Sequence, residues 1–131
     1  MINNKNLALI GALLLVISIS LGALGAHALS EILSEERLRS FLTSNQYLTI
    51  HGLAFLVLAL FPRYILKSTR VILAGLVLFS GSIILLITLG HQEIQFPKII
   101  GLITPIGGVL MILGWIHMAW LIWKEENKIK S

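Results

Sequence analysis

Charged side chains are missing from four long stretches of the chain: Asn6–Ser30, Ser40–Pro62, Val71–Gln92 and Ile99–Trp123. Each is long enough to cross a hydrocarbon core of roughly 30 Å at about 1.5 Å per residue. Helices are therefore predicted near Leu7–Leu29, Gln46–Phe61, Val71–Leu89 and Gly101–Trp123. Short connections make consecutive helices antiparallel neighbours. The expected fold class is all-α: an integral membrane four-helix bundle, up-down-up-down, forming a single domain over residues 1–131. In the first connection Ser34 precedes Glu35 and Glu36, an N-cap followed by acid where the helix dipole favours it. Leu38, Phe41 and Leu42 then recur at helical spacing, which predicts a short amphipathic surface helix near Glu35–Ser44. The second connection, Pro62–Arg70, reads as a tight basic turn. The third, near His91–Lys98, contains Pro97 and is expected to be irregular.

Composition supports the same class. Hydrophobic residues make up 56% and charged residues 12%, against roughly 25% charged in a soluble domain. That is too little charge to cover a water-soluble core. The net charge of +4 lies in connections and tails rather than in one cationic stripe. A lipid bilayer with an anionic inner leaflet accounts for it, and no nucleic-acid partner is expected. Lys5, Arg63, Lys67, Arg70, Lys124, Lys128 and Lys130 fall on one side of the proposed bundle, and only Arg37, Arg39 and Lys98 on the other. The positive-inside rule then gives a multi-pass chain with both termini and the second connection cytoplasmic. Trp120 and Trp123, just before Lys124, read as an interfacial anchor at that surface. The first segment also invites a signal-peptide reading, with Ala26-His27-Ala28 as the cleavage site. Cleavage would leave three spans and reverse the parity that the basic residues support, so the segment is taken as a span. The chain has no cysteine, which removes disulfides and thiolate metal sites.

Small and polar residues then give the spans character. Ser18, Gly22 and Ala26 form a small-xxx-small-xxx-small stripe, read as a surface for close helix packing. His27 is placed near the outer end of the first span, with Tyr47 and His51 one turn apart on one face of the second. Ser82 in the third span and Thr104 in the fourth come to similar depth. Such groups are expensive in lipid, so a polar intramembrane cluster of His27, Tyr47, His51, Ser82 and Thr104 is expected to face inward. An imidazole facing hydrocarbon forfeits hydrogen bonds on the order of 1–3 kcal/mol each. Thr104 or the carbonyls near Pro105 are the expected partners of the histidines. Thr104-Pro105-Ile106-Gly107-Gly108 reads as a helix break with two alternatives. Either Thr104 caps a helix whose first residue is Pro105, or a helix starting near Ile99 kinks at Pro105, which cannot donate to the Gly101 carbonyl. The second is preferred, because Ile99–Ile103 is too apolar for a solvated loop.

The pieces Leu21-Gly-Ala-Leu-Gly-Ala-His27-Ala-Leu29, Tyr47-x-x-x-His51-Gly-Leu-Ala54, Leu78-Phe-Ser-Gly-Ser82 and Ile103-Thr-Pro-Ile-Gly-Gly108, followed by Leu113-Gly-Trp115, occur in order. With them the chain resembles the small bacterial membrane proteins of the uncharacterised family UPF 0382, also called domain of unknown function 423. Eukaryotic transmembrane protein 256 is similar to that family. One departure is Ile50, where members often carry tyrosine. The resemblance implies a four-span bacterial plasma-membrane protein and supplies no biochemical activity. Three function classes stay open. The leading one is a non-enzymatic structural or partner-binding bundle whose polar cluster holds the helices together. The second is a small transporter, channel or proton-linked permeation unit, although no span carries Asp, Glu, Lys or Arg. The third is a redox protein in which His27 and His51 bind haem or a metal. His91 and His117 are placed at the two interfaces. Against a membrane-embedded hydrolase, no GxSxG or HExxH motif is present and no paired acid lies within a span. No catalytic residue, metal site or cofactor is therefore assigned, and a homo-oligomer or a membrane-protein partner remains open.

Overall fold

The computed structural model describes the backbone of residues 3–61, 65–90 and 99–129, and the side chains of 3–61, 65–87 and 102–125. Its elements are α1 (Asn4–Leu24), a π-turn (Gly25–Leu29), α2 (Ser30–Ile32), α3 (Glu35–Leu58), α4 (Leu66–Gly90) and α5 (Ile99–Ile129). Among the described residues there is no strand. Three stretches, Asn4–Ile32, Leu66–Ile87 and Leu102–Glu125, are long and apolar enough to cross a membrane. α3 is more polar: Glu35, Glu36, Arg37 and Arg39 fill its first turns, and Asn45, Gln46 and His51 follow.

α1 starts where the Asn3 side chain accepts a hydrogen bond from the Asn6 amide at 2.8 Å. Helical geometry then continues to Ile32 across the π-turn, since both Gly25 and Ser30 keep right-handed helical angles. A π-turn widens the i→i+4 ladder by one residue, to i→i+5. Here the Ser30 hydroxyl donates back to the carbonyls of Ala26 and His27 at 3.0 and 2.9 Å. The chain reverses at Leu33 and Ser34, both extended. The expected N-cap is present, Ser34 accepting from the Arg37 amide at 3.4 Å.

Two expected boundaries are corrected. The surface helix and the second span are one unbroken helix, because no glycine or proline lies between Glu35 and His51 to end it. α4 begins at Leu66 rather than Val71, so Lys67 and Arg70 belong to its first turns instead of a loop. α5 begins at Ile99 and contains Pro105, in line with the helix that runs through the proline. The irregular connection expected near His91–Lys98 lies outside the described residues.

Helix pairing rests on backbone contact at glycines. A Cβ on Gly11 would stand 2.8 Å from the Gly52 carbonyl oxygen, which brings α1 onto α3. A Cβ on Gly75 would stand 2.7 Å from the Gly107 oxygen, and one on Gly107 only 2.4 Å from the Phe79 nitrogen, which brings α4 onto α5. In each pair the partners run in opposite order: Asn4 with Ala59, Gly11 with Gly52 and Gly25 with Phe41; Ser68 with His117, Gly75 with Gly107 and Ser82 with Thr104. α3 also packs on α4, joining the pairs. Leu7, Phe55, Ile65, Ile72, Leu76 and Met118 form the buried centre. Leu9, Val16, Ile19, Val109, Ile112 and Ile116 leave the outer surface apolar.

The small-residue stripe is used in part. Ser18 is buried and Gly22 half-buried, but Ala26 is exposed and Gly25 takes its place against Phe41. The reason is the pitch. At about 100° per residue, seven steps return to within roughly 20° of the starting face, whereas eight overshoot by about 80°.

Candidate functional site

His51 is the buried polar residue with the most elaborate surroundings. It is 5% exposed, and both of its ring nitrogens are engaged. Nδ1 lies 2.8 Å from the Tyr47 carbonyl oxygen one turn earlier on α3. From α5, the Trp115 indole donates Nε1–H to His51 Nε2 at 3.2 Å. An indole nitrogen can only donate, so Nε2 is the acceptor and the proton sits on Nδ1, donated to Tyr47. The geometry thus selects one neutral tautomer and ties α3 to α5.

Aromatic rings surround this bond. The Tyr47 ring stacks over the imidazole, with centroids 6.0 Å apart and planes at 14°. Its other contact is Phe79 of α4 at 4.7 Å. Tyr47, Phe79, Gly108, Ile112, Trp115 and Ile116 line a groove of about 360 Å³ in which His51 also takes part. Tyr47 and His51 share one face of α3, but the link between them is the tyrosine's backbone carbonyl, not its phenol.

The other expected members go elsewhere. Ser82 and Thr104 pair with each other, Oγ to Oγ1 at 2.7 Å, and Ser82 donates to the Phe79 carbonyl at 3.0 Å, which leaves Thr104 as donor within the pair. They cannot reach His51. Ser80 donates to the Ser44 carbonyl at 3.1 Å, so this layer of α4 is level with Ser44, about 10 Å along α3 from His51 at about 1.5 Å per residue. The expectation that Thr104 or the carbonyls by Pro105 would serve the histidine is therefore replaced by Trp115. His27 does not face inward. It is exposed on the π-turn, and its ring has no hydrogen-bond partner among the described residues. Gly25 packs on Phe41, which sets His27 roughly 15 Å along the axis from His51. The two imidazoles cannot share a haem or a metal ion, and among the described residues no group of three His, Cys, Asp or Glu side chains could hold one.

Further polar contacts bind neighbouring helices. Ser18 meets the Thr49 hydroxyl and donates to the Asn45 carbonyl at 3.3 Å, joining α1 to α3. Ser68 of α4 lies 2.9 Å from His117 Nδ1 of α5. His117 stacks on Trp120, and the Lys124 ammonium lies over the same indole ring, 5.0 Å from its centroid. Ser68 is fully buried, so this serine–histidine contact offers no nucleophile to a substrate.

Trp115 is the residue that sequence reasoning missed as a partner. The available signal was chemical: a mid-span indole carries an N–H that hydrocarbon cannot satisfy.

The sequence profile of a family described as "Protein of unknown function (DUF423)" matches residues 21–108. The chain is similar to a UPF0382 membrane protein of Staphylococcus aureus (strain bovine RF122 / ET3-1), with 34% identity over 118 residues, covering 87% of this chain and 92% of the relative. It is also similar to a UPF0382 membrane protein of Staphylococcus epidermidis (strain ATCC 12228 / FDA PCI 1200), with 36% identity over 112 residues, covering 86% and 90%. No solved structure matches the chain.

Proposed function

This chain belongs to the DUF423 family, and from that premise we propose that it is a four-span plasma-membrane bundle with a non-enzymatic, structural or partner-binding role. The helices run up-down-up-down with both termini in the cytoplasm, and the intramembrane polar groups lock one helix to the next. One observation carries the reading: both nitrogens of buried His51 are satisfied inside the protein, by Tyr47 and by Trp115. An imidazole that relays protons or ligates a cofactor needs a nitrogen free to exchange partners. This one has none to offer while the bond stands. The hydroxyl pairs Ser18–Thr49 and Ser82–Thr104 support the same role, each joining two helices.

The absence of native cysteine makes the topology directly testable. Single-cysteine variants Lys5→Cys, Glu36→Cys and Asn127→Cys are labelled with a membrane-impermeant maleimide. In intact cells only Glu36→Cys reacts; the other two react after lysis. Labelling of Asn127→Cys from outside refutes the arrangement. The purified protein in proteoliposomes carries no flux above empty liposomes across pH and ion gradients, and a saturable flux replaces the structural role with permeation.

A further inference from the structure

We infer that the outward face of α3 is the interface of a homodimer, in which two copies of this chain lay their α3 helices side by side and the Gln46 carboxamides bond across the two-fold axis. The inference names the partner for the partner-binding reading above and rests on that reading in one respect: α3 must span the membrane.

Depth and exposure single out Gln46. It is exposed, and its carboxamide has no hydrogen-bond partner among the described residues. The carbonyl of its neighbour Asn45 accepts from Ser18, the midpoint of the apolar stretch Asn4–Ile32. Two residues earlier on α3, the Ser44 carbonyl accepts from Ser80, which stands about 5 Å beyond the midpoint of Leu66–Ile87. Both neighbours thus put Gln46 within about 5 Å of the middle of the hydrocarbon. In a core of roughly 30 Å the headgroups are then about 10 Å away, and a glutamine side chain is too short to snorkel to them. Exposed hydroxyls in the spans escape this difficulty. Ser20 and Thr43 donate back to the Val16 and Arg39 carbonyls of their own helices; Gln46 makes no such bond.

The surface around Gln46 has the spacing of a helix pair. Thr43, Gln46, Ile50, Leu53 and Val57 are all exposed and follow one another at intervals of 3, 4, 3 and 4 residues. That is the 3.5-residue repeat of the seam in a two-helix supercoil. The seam lies opposite the buried stripe of Phe41, Leu48, Phe55 and Leu58, so packing within one chain uses the other side of α3.

Exposed apolar residues at regular spacing suit lipid as well as protein; the amide decides between them. Lipid tails offer it neither donor nor acceptor. Copies of one chain share one orientation in the membrane, so a two-fold axis along the membrane normal brings each α3 residue to its own counterpart at the same depth. A carboxamide is self-complementary there, since each N–H donates to the other copy's oxygen. A foreign partner would need a polar group at that depth and angle; a second copy has it by symmetry. Arg39, the next step outward on the seam, does not oppose the pairing. It stands at the charged end of α3, and Glu35 of its own chain neutralises it at 2.8 Å.

The chain has no cysteine, so each reporter is a single added thiol. In native membranes, oxidation with copper phenanthroline links Ile50→Cys and Leu53→Cys into dimers, whereas Leu9→Cys and Val109→Cys, exposed on α1 and α5, stay monomeric. For affinity, Lys5→Cys is labelled with donor and acceptor dyes, and energy transfer is followed against the protein-to-lipid ratio in liposomes. Gln46→Leu raises the half-dimerisation ratio about 10-fold, equal to about 1.4 kcal/mol and close to two average interhelical hydrogen bonds. Gln46→Asn, which keeps an amide, raises it less. The unfolding midpoint of the micellar monomer is the same with Gln46→Leu as without it, and a loss there means that Gln46 bonds within its own chain and overturns the inference. Cross-linking as strong at Leu9 or Val109 as in the seam overturns it, as does Gln46→Leu dimerising as tightly as the parent. So does an absence of energy transfer at every ratio, which leaves lipid or another membrane protein covering the seam. Failure of the underlying reading has a separate signature: if α3 does not span, Asn127→Cys labels from outside the cell, whatever the dimer measurements give.

Discussion

Removing the indole donor that faces His51 tests the lock between α3 and α5 directly. Trp115→Phe keeps an aromatic ring but deletes the N–H, leaving Nε2 of a 5%-exposed imidazole without a partner. An interhelical hydrogen bond in a membrane contributes about 0.6 kcal/mol on average and rarely more than about 1.7. A buried acceptor left unsatisfied costs about 1–3 kcal/mol. The expected loss is therefore about 1–2 kcal/mol. His51→Leu removes the acceptor instead, orphans the indole N–H and releases the Tyr47 carbonyl from one of its donors, so its loss is of similar size. The double variant removes both orphans at once. It is expected to be about as stable as either single variant, which amounts to a coupling of about 1 kcal/mol. Reversible unfolding in mixed micelles, followed by far-UV circular dichroism, gives the four corners of the cycle. Independent sites add within roughly 0.3–0.5 kcal/mol. Additivity within that margin means that the Trp115–His51 contact carries no energy, and the reasoning that ties polar residues to helix locking is then wrong.

The neighbouring glycines separate packing from space: Gly107→Ala is expected to destabilise the fold by more than 2 kcal/mol, because its methyl meets backbone at 2.4 Å, as overpacking often costs about 1–3 kcal/mol. Gly108→Ala stays within about 0.5 kcal/mol of the parent in the same unfolding assay, and equal losses at the two positions contradict the geometry. Ser82→Ala and Thr104→Ala each cost less than about 1 kcal/mol, and the double variant no more than the larger single loss, since the two hydroxyls mainly satisfy one another at 2.7 Å; strict additivity in the unfolding midpoints counts against the pairing.

Charge-free intervals located the helices because exclusion of charge marks hydrocarbon, and a backbone in hydrocarbon must close its own hydrogen bonds. The ends were less legible, since a helix stops at a cap or a breaker rather than where polarity rises. That is why α3 runs through Asn45 and why α4 takes in Lys67 and Arg70. Neither depth nor rotation was fully readable: the Ser82–Thr104 layer, expected level with the histidines, lies about 10 Å along α3 from His51, and His27 roughly 15 Å. Tyr47 and His51 share a face by the arithmetic of one helical turn, a relation local to α3. His27 turned outward at a π-turn that nothing in its run of small residues announces. The Trp115 bond depends on how α5 is rotated against α3 across α4, a relation between residues 64 positions apart in sequence. A pattern within one span cannot encode it.

α3 is the helix whose composition departs furthest from its neighbours, and it is also where their polar bonds converge. α1 reaches it through Ser18, α4 through Ser80 bonding to the Ser44 carbonyl, and α5 through Trp115. Asn4, at the start of α1, donates to the carbonyls of Ala59 and Phe61 just beyond its end, at 2.9 and 2.8 Å. The three apolar stretches can each partition into lipid on their own composition. α3 carries His51, whose ring is costly to leave in hydrocarbon without partners, and Trp115 supplies one of them, whereas the buried side-chain oxygen of Asn45 has no partner among the described residues. The place of α3 in a bundle therefore depends on the others being there to bond it. The bonds from Ser18, Ser80 and Trp115 thus fix α3 against α1, α4 and α5 at three levels along its length.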